Sequence, residues 1–292
     1  MDCIIKNEFL TAVISDKGAE LQSFADNISG TEYIWQGDPA VWSGRAPVLF
    51  PITGALYGDA YTYGGKRYTL HKHGFALKSV FSLDARGDSV AVFSIKHSPE
   101  HLAGTYPFKY RFEAIFRLDG RSLITDYVVH NETDGEMFYS VGAHEGFRCP
   151  RYEGESFEDY YLEFDAAGDF DTHLTVGTGL FTGATKRIAQ NTGVIPLKHS
   201  YFDNDALVFK GVKSNKVSLR SRKNGESVDV EFPDTDVILF WQRPGAPYIC
   251  IEPWWGSPDD AAGGGDISQK KHIVRLEKAG CKCITHKITI NK

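Results

Sequence analysis

The chain has 292 residues, of which 42% are apolar, 13% aromatic and 24% charged, and a chain of this size and composition can bury a large core. Intrinsic disorder and a fibrous repeat are therefore excluded. The formal net charge of −6 provides no broad cationic field, which argues against nucleic acid and anionic membranes as partners.

Neither a targeting segment nor a disulfide framework is indicated. The first ten residues carry Asp2 and Glu8 and lack a long apolar run, and the apolar run 237–241 is too short to span a bilayer. The five cysteines are an odd number in a chain too long to need disulfides for folding. We therefore predict a cytoplasmic protein with reduced thiols and no membrane partner.

Apolar residues alternate with polar ones over most of the chain, which is typical of strands with one buried face. The clearest examples are the ranges 110–118, 228–232 and 284–290. Dipeptides that favour tight hairpins occur at Gly64-Gly65, Asp119-Gly120 and Asn224-Gly225. Neighbouring strands are therefore predicted to be antiparallel.

Helical signals are few. Ser98 is a candidate N-cap before Pro99, and Gly104 and Pro107 end the segment after one or two turns. No linker, fixed-period repeat or low-complexity tract divides the chain. We therefore predict an all-β fold in which residues 1–292 form a single large antiparallel domain, with its strands in stacked sheets.

Several segments interrupt the alternation and concentrate Arg, His, Glu and Trp. Arg45 precedes an apolar run bracketed by prolines, where a guanidinium either donates two N–H groups to sugar hydroxyls or forms a surface ion pair. His71 and His73 follow Gly65 with the spacing of a cupin metal motif, but Leu77 stands at a position where that motif needs an acidic residue. We therefore predict no metal at this histidine pair.

A second histidine segment contains His144 between Gly142 and Gly146, where the small neighbours let a ligand approach closely. Phe147 follows and is a candidate floor for a sugar ring. The alternative is a structural histidine in the core.

The segment after the apolar strand 248–251 places Glu252 next to Pro253 and two tryptophans. The proline is predicted to end the strand ladder. Burial near aromatic groups raises the pKa of a carboxyl toward neutrality, where the group can take and return protons. The indole face of Trp254 matches the C–H face of a pyranose, so this segment indicates carbohydrate; the alternative is a solvated glutamate on an edge strand.

An acidic turn at Asp203 and Asp205 leads into the apolar strand 206–209. Asp203 is suited to capping the turn with its own side chain, and Asp205, nearer the strand, is better placed to accept hydrogen bonds from sugar hydroxyls. The spacing alone does not choose between the two.

In this order, the segments resemble those of the aldose 1-epimerase (galactose mutarotase-like) superfamily, and most closely its bacterial LacX-type branch. The resemblance covers nearly the whole chain. It rests on Gly18-Ala19-Glu20-Leu21, Tyr33-Ile34-Trp35-Gln36-Gly37, Arg45 with Leu49-Phe50-Pro51, His73-Gly74-Phe75-Ala76, His144 with Phe147, Asn204-Asp205-Ala206-Leu207 and Ile251-Glu252-Pro253-Trp254.

The resemblance implies a β-supersandwich that interconverts the α and β anomers of an aldohexose without a metal or an organic cofactor. Carried over by position, Glu252 is the general base on the anomeric hydroxyl and His144 the general acid on the ring oxygen, so the two groups are expected to face each other across a pocket the width of one pyranose. Arg45, His73 and Asp205 match the substrate-binding positions. The oligomeric state, monomer or homodimer, stays open.

Three positions depart from the family pattern. Glu145 stands where a Pro or a Tyr usually adjoins the histidine, Arg148 stands where an Asn usually follows the phenylalanine, and Leu77 replaces an Arg. Two alternative functions therefore remain on the same fold: a non-catalytic carbohydrate-binding protein, and a mutarotase for hexose 6-phosphates. The phosphate alternative requires cations, for which Lys78, Arg148 and Arg243 are candidates.

Overall fold

The structure is a computed structural model that describes residues 1–292. It contains twenty-one strands and six short helical turns. The strands are β1 (Asp2–Lys6), β2 (Leu10–Ser15), β3 (Leu21–Asp26), β4 (Ala60–Tyr63), β5 (Lys66–Thr69), β6 (Ser82–Arg86), β7 (Val90–Lys96), β8 (Tyr110–Asp119), β9 (Ser122–Asn131), β10 (Met137–Tyr139), β11 (Val141–Gly142), β12 (Glu145–Arg148), β13 (Tyr160–Val176), β14 (Leu180–Pro196), β15 (Leu207–Lys210), β16 (Lys216–Ser221), β17 (Ser227–Glu231), β18 (Val237–Trp241), β19 (Tyr248–Trp255), β20 (Val274–Leu276) and β21 (Cys281–Asn291).

The helical turns are 3₁₀ except for the third, which is a π-turn, and none is long and apolar enough to cross a membrane. They span Tyr57–Asp59, Ala76–Lys78, His101–Thr105, Phe157–Asp159, His199–Phe202 and Ile267–Gln269. The third turn follows the predicted cap, since the N–H of His101 donates to Ser98 Oγ at 3.2 Å.

Two large antiparallel sheets dominate the fold. The nine-stranded sheet has the order β14-β13-β16-β17-β21-β9-β8-β7-β6. The five-stranded sheet has the order β11-β19-β18-β15, with β12 also paired to β19. The all-β fold class predicted from the alternation is therefore confirmed.

The predicted hairpins are confirmed, and the predicted alternation is confirmed in β8 and β21, whereas in β17 Asp229 is buried together with Val228 and Val230. Every second side chain of β8 is buried, and β21 ends the chain as a strand paired with both β9 and β17. The three glycine dipeptides connect β4 to β5, β8 to β9 and β16 to β17. Gly65, Gly120 and Gly225 adopt positive φ values of 75°, 53° and 74°, as tight hairpin turns require.

The five-stranded sheet buries one face and directs the other toward a cavity. Ile249 and Ile251 of β19 belong to the main hydrophobic cluster of 65 buried residues. Cys250, Glu252 and Trp254 alternate with them and therefore point the other way. The functional site is built on this second face.

Candidate active site

The cavity over the second face of the five-stranded sheet has a volume of about 610 Å³, which is ordinary for a small-molecule site. Its floor comes from β15, β18 and β19, and loops and the tip of the β13–β14 hairpin form its walls. The floor residues are Val208, Leu239, Trp241, Glu252 and Trp254. The wall residues used below are Trp42, Lys72, His73, His144, Thr175, Asp205 and Arg243.

Pro253 does not end the strand as the sequence predicted, because β19 continues to Trp255. The neighbouring strand is interrupted at Ala143 and His144, between β11 and β12. The carbonyl of Pro253 accepts from the N–H of Ala143 at 3.0 Å, and the N–H and C=O of one residue point to the same side of a strand. The proline nitrogen therefore faces Ala143 and cannot donate the second bond of that pair, which interrupts the ladder without ending β19.

His144 and Glu252 meet at this interruption. His144 Nε2 lies 3.3 Å from Glu252 Oε2, and the side chains are 11% and 2% exposed. Because β19 is a central strand of its sheet, Glu252 is not a solvated edge residue. The two groups lie side by side where the wall meets the floor of the cavity, whereas the sequence led us to expect them on opposite sides of a sugar ring.

Burial disfavours the charged form of each partner. It raises the pKa of Glu252 well above its ordinary value, an effect that the charge of Lys72 partly offsets. It lowers the pKa of His144 to about 3. The pair therefore holds one proton over a broad pH range, and its two titration steps belong to the pair rather than to either residue.

Three tryptophans enclose the pair. Trp42 stacks on the His144 ring with centroids 5.2 Å apart, and Trp241 meets that ring edge-on at 5.8 Å. Trp254 lines the floor. Flat apolar faces suit a pyranose, which has C–H faces and hydroxyl edges.

His73 also reaches the cavity, edge-on to both His144 and Trp254. Its Nδ1 accepts from the N–H of Gly54 at 3.2 Å, so the neutral ring carries its proton on Nε2. Burial and the neighbouring His144 lower its pKa well below the ordinary value. His71 instead faces Asp59 on the surface, 71% exposed, so the two histidines do not form a metal pair.

The acidic turn contributes one carboxylate. Asp205 lines the cavity and accepts from Thr175 Oγ1 at 2.7 Å, while Asp203 is exposed and lies outside the lining. The structure thus selects Asp205 from the two candidates. A carboxylate held by a hydroxyl on one oxygen keeps its other oxygen free for a ligand hydroxyl.

Two residues predicted to contact a sugar, Arg45 and Phe147, do not line the cavity. The Arg45 side chain donates to the Gln22 carbonyl at 2.7 Å and to Gln36 Oε1 at 3.3 Å, outside the cavity lining. Phe147 is fully buried in the main hydrophobic cluster, because strand alternation turns it to the face opposite Gly146. Arg45 supports the site through its backbone, since its carbonyl accepts from the N–H of Gly146 at 2.7 Å.

Sequence reasoning missed Trp42 and Lys72, and it named Arg243 only as a candidate cation for a phosphate group. Lys72 and Arg243 line the cavity, and neither side chain makes an ion pair or hydrogen bond within the chain. Lys78 and Arg148, the other predicted cations, lie outside the lining. In the sequence, Lys72 could have been found by its position between His71 and His73. Trp42 could have been found by its position three residues before Arg45, in a segment without the alternation of a strand.

Comparisons with known proteins agree with this architecture. The sequence model of the family described as aldose 1-epimerase matches residues 2–261. Protein LacX of Lactococcus lactis subsp. lactis is 34% identical over 295 residues, covering 98% of each chain.

Two solved structures have closely similar folds. A galactose mutarotase related enzyme from Lactobacillus acidophilus is 34% identical with a TM-score of 0.94, covering 100% of this chain and 98% of that one. A galactose mutarotase-like protein from Lactobacillus casei is 27% identical with a TM-score of 0.93, covering 100% of both chains.

Proposed function

This chain belongs to the aldose 1-epimerase family, as its ordered motifs predicted, and we propose that it interconverts the α and β anomers of an aldohexose. The observation that carries the proposal is the buried contact of 3.3 Å between His144 and Glu252 at the base of the cavity. Such a contact joins a proton donor and a proton acceptor at one point of a closed site.

The reaction needs two proton transfers in each direction. A base removes the proton from the hydroxyl on C1 while an acid protonates the ring oxygen, and the C1–O5 bond then breaks to give the open aldehyde. Rotation about C1–C2 exposes the other face of the aldehyde. Closure of the ring reverses both transfers, so atoms, charges and protons balance over the cycle.

The side-by-side arrangement suits this chemistry. Both reacting oxygens are bonded to C1, so an acid and a base that lie next to each other reach them without a sugar ring between the two side chains. In our assignment Glu252 takes the proton from the C1 hydroxyl and His144 supplies one to the ring oxygen. The starting state for this reaction has the single proton of the pair on His144 and leaves Glu252 ionised, so the proton must first pass from the glutamate to the histidine. Each transfer is typically worth 10²–10⁴-fold, or about 3–5 kcal/mol.

Three further residues would hold the sugar. The free Nε2–H of His73 would donate to a sugar oxygen and the free oxygen of Asp205 would accept from a hydroxyl. Trp254 would cover a C–H face of the ring. These contacts fix the position of C1 against the pair, and positioning lowers the entropic part of the barrier.

Anomer exchange measured by saturation-transfer NMR tests the proposal. We expect wild-type protein to accelerate exchange between the α and β signals of glucose or galactose in proportion to protein concentration. Sugar binding without any acceleration, across both hexoses and their 6-phosphates, would instead identify a non-catalytic carbohydrate-binding protein.

A mutarotase for hexose 6-phosphates is a second candidate, and Lys72 and Arg243 favour it. Both cations line the cavity without a carboxylate partner, and unpaired cations are suited to a phosphate dianion. The same NMR experiment separates the candidates. A kcat/KM about tenfold or more higher for the 6-phosphate than for the free hexose, corresponding to 1.4 kcal/mol, supports the phosphate; equal values exclude it.

A further inference from the structure

Beside the acid–base pair lies a thiol that the proposed reaction does not use. Cys250 precedes Glu252 by two positions on β19, so both side chains point to the same face of the sheet. Cys250 is fully buried and lies outside the cavity lining. Burial raises the pKa of its thiol, so it is protonated and inert in the resting protein.

Cys250, His144 and Glu252 together present one sulfur, one nitrogen and one oxygen atom within 4.8 Å of one another. Ligand atoms of a tetrahedral Zn²⁺ with bonds of 2.0–2.3 Å are about 3.3–3.6 Å apart. The distance of 3.3 Å between His144 Nε2 and Glu252 Oε2 already matches. The Cys250 sulfur must move about 1 Å closer to the other two ligand atoms to complete the tetrahedral ligand set.

Two features of this cluster favour a cation. Glu252 Oε2 is buried with His144 Nε2 only 3.3 Å away, and no Lys or Arg forms an ion pair with Glu252. The cavity adjoins the pair, which provides an entry path and room for a water molecule as the fourth ligand. Three protein ligands with one open position are the arrangement that zinc adopts in accessible sites.

We propose that His144, Cys250 and Glu252 form a site for a thiophilic divalent cation such as Zn²⁺, and that the cation inhibits the protein by occupying the proton-transfer pair. Binding releases to solvent the thiol proton and any proton on Glu252. The bound cation takes the lone pair that His144 uses for proton transfer and one carboxylate oxygen. The inhibition rests on the proposed function, whereas the cation site does not.

The exposed thiols Cys281 and Cys283 must be removed before the site is tested, because Cys281 Sγ lies 4.0 Å from His130 Nε2 and offers a competing surface site. The parent protein is therefore the double variant C281S/C283S. Cd²⁺ is the probe, since cadmium–thiolate bonds give an ultraviolet charge-transfer band that reports binding without any activity measurement.

We expect one Cd²⁺ per parent chain, with the charge-transfer band, and inhibition of anomer exchange by Zn²⁺ that a chelator reverses. Adding Cys250→Ala should abolish the band and raise the half-inhibiting Zn²⁺ concentration at least about tenfold, since loss of even an outer-shell partner costs 10–100-fold in metal affinity. The matched control is Cys149→Ala, another fully buried free thiol, which should leave both readouts at the parent values.

Three outcomes would overturn the site: no band in the parent, a band retained in Cys250→Ala, or equal loss in Cys149→Ala. If Cys250→Ala does not fold, His144→Asn in the parent replaces it, and a band of unchanged affinity then rejects the proposal. A Cd²⁺ band in a protein without anomer exchange would support the cation site while refuting the proposed function.

Discussion

Two buried Glu–His pairs each include one of the adjacent residues His144 and Glu145. These two side chains point to opposite faces of the five-stranded sheet. His144 faces the cavity and contacts Glu252 at 3.3 Å, while Glu145 faces the interior and contacts His286 of the nine-stranded sheet at 2.8 Å. Neither Glu145 nor His286 lines the cavity. Residue types and burial are alike in the two pairs, and the difference between them is that His144 and Glu252 line the cavity.

The Glu145–His286 pair, called the sealed pair because neither residue lines the cavity, joins the two large sheets. Glu145 occupies one of the three positions at which the sequence departs from its family's pattern, and His286 is its partner across the core. The second carboxylate oxygen of Glu145 and Nδ1 of His286 lack hydrogen-bond partners. A buried pair with unmet hydrogen-bonding capacity contributes specificity of packing more than net stability.

Matched substitutions of the two glutamates should give the largest contrast. We expect Glu252→Gln to retain sugar binding and to lower the rate of anomer exchange about 10²-fold or more, because the amide cannot take the proton. Glu145→Gln should leave the rate per folded molecule unchanged. Saturation-transfer NMR measures both rates, and near-wild-type exchange in Glu252→Gln would refute the base assignment.

His144→Asn tests the other half of the reactive pair. We expect a loss of exchange similar to that of Glu252→Gln, again about 10²-fold, in a protein whose thermal unfolding remains cooperative. Circular dichroism checks the fold and NMR the rate. A variant that fails to fold would instead indicate that His144 is a structural residue.

The Glu145–His286 pair should affect the free energy of unfolding rather than the rate of anomer exchange. Glu145→Leu leaves His286 buried without its partner, and breaking a buried pair in this way costs about 3–5 kcal/mol. The double variant Glu145→Leu/His286→Leu should recover most of that loss, since it removes both polar groups. Urea unfolding measures both; a double variant no more stable than the single one would contradict this account.

The pH dependence should sharpen the role of Lys72, whose positive charge lowers the pKa of both Glu252 and His144. The active pair carries one proton, so activity falls when a second is gained at low pH or the first is lost at high pH. Removing the charge in Lys72→Ala raises both pKa values. We therefore expect both limbs of the kcat/KM profile to move to higher pH.

Lys78→Ala is the matched control for this shift, because Lys78 is exposed and lies outside the cavity lining. Its profile should coincide with that of the wild type. A Lys72→Ala profile that stays in place, or moves to lower pH, would exclude an electrostatic effect of Lys72 on the pair.

The smallest effect is expected at Arg45. Its guanidinium is held by Gln22 and Gln36 outside the cavity, so Arg45→Ala should change KM for the hexose by no more than about twofold, the range of substitutions away from a site. His73→Ala, which removes a cavity donor, should raise KM more. A larger increase in KM for Arg45→Ala would instead support the contact between Arg45 and the sugar that the family resemblance implies.

Much of the fold was determined by local sequence. The alternation in 110–118 and 284–290 and the glycine turns at 64–65 and 224–225 decide strand and hairpin without reference to distant residues, since pleat period and turn geometry are local properties. The ordered motifs also sufficed to identify the family, and they contain His73, His144, Asp205 and Glu252, all of which line the cavity.

The tertiary structure decided how these residues face one another. The side-by-side contact of His144 with Glu252 and the placement of Phe147 in the core both depend on the register of β11 and β12 against β19. The outward position of Arg45 depends on partners contributed by other segments. Such contacts join residues far apart in the chain, and pairing across sheets, rather than any local pattern, sets which face of a strand meets the cavity.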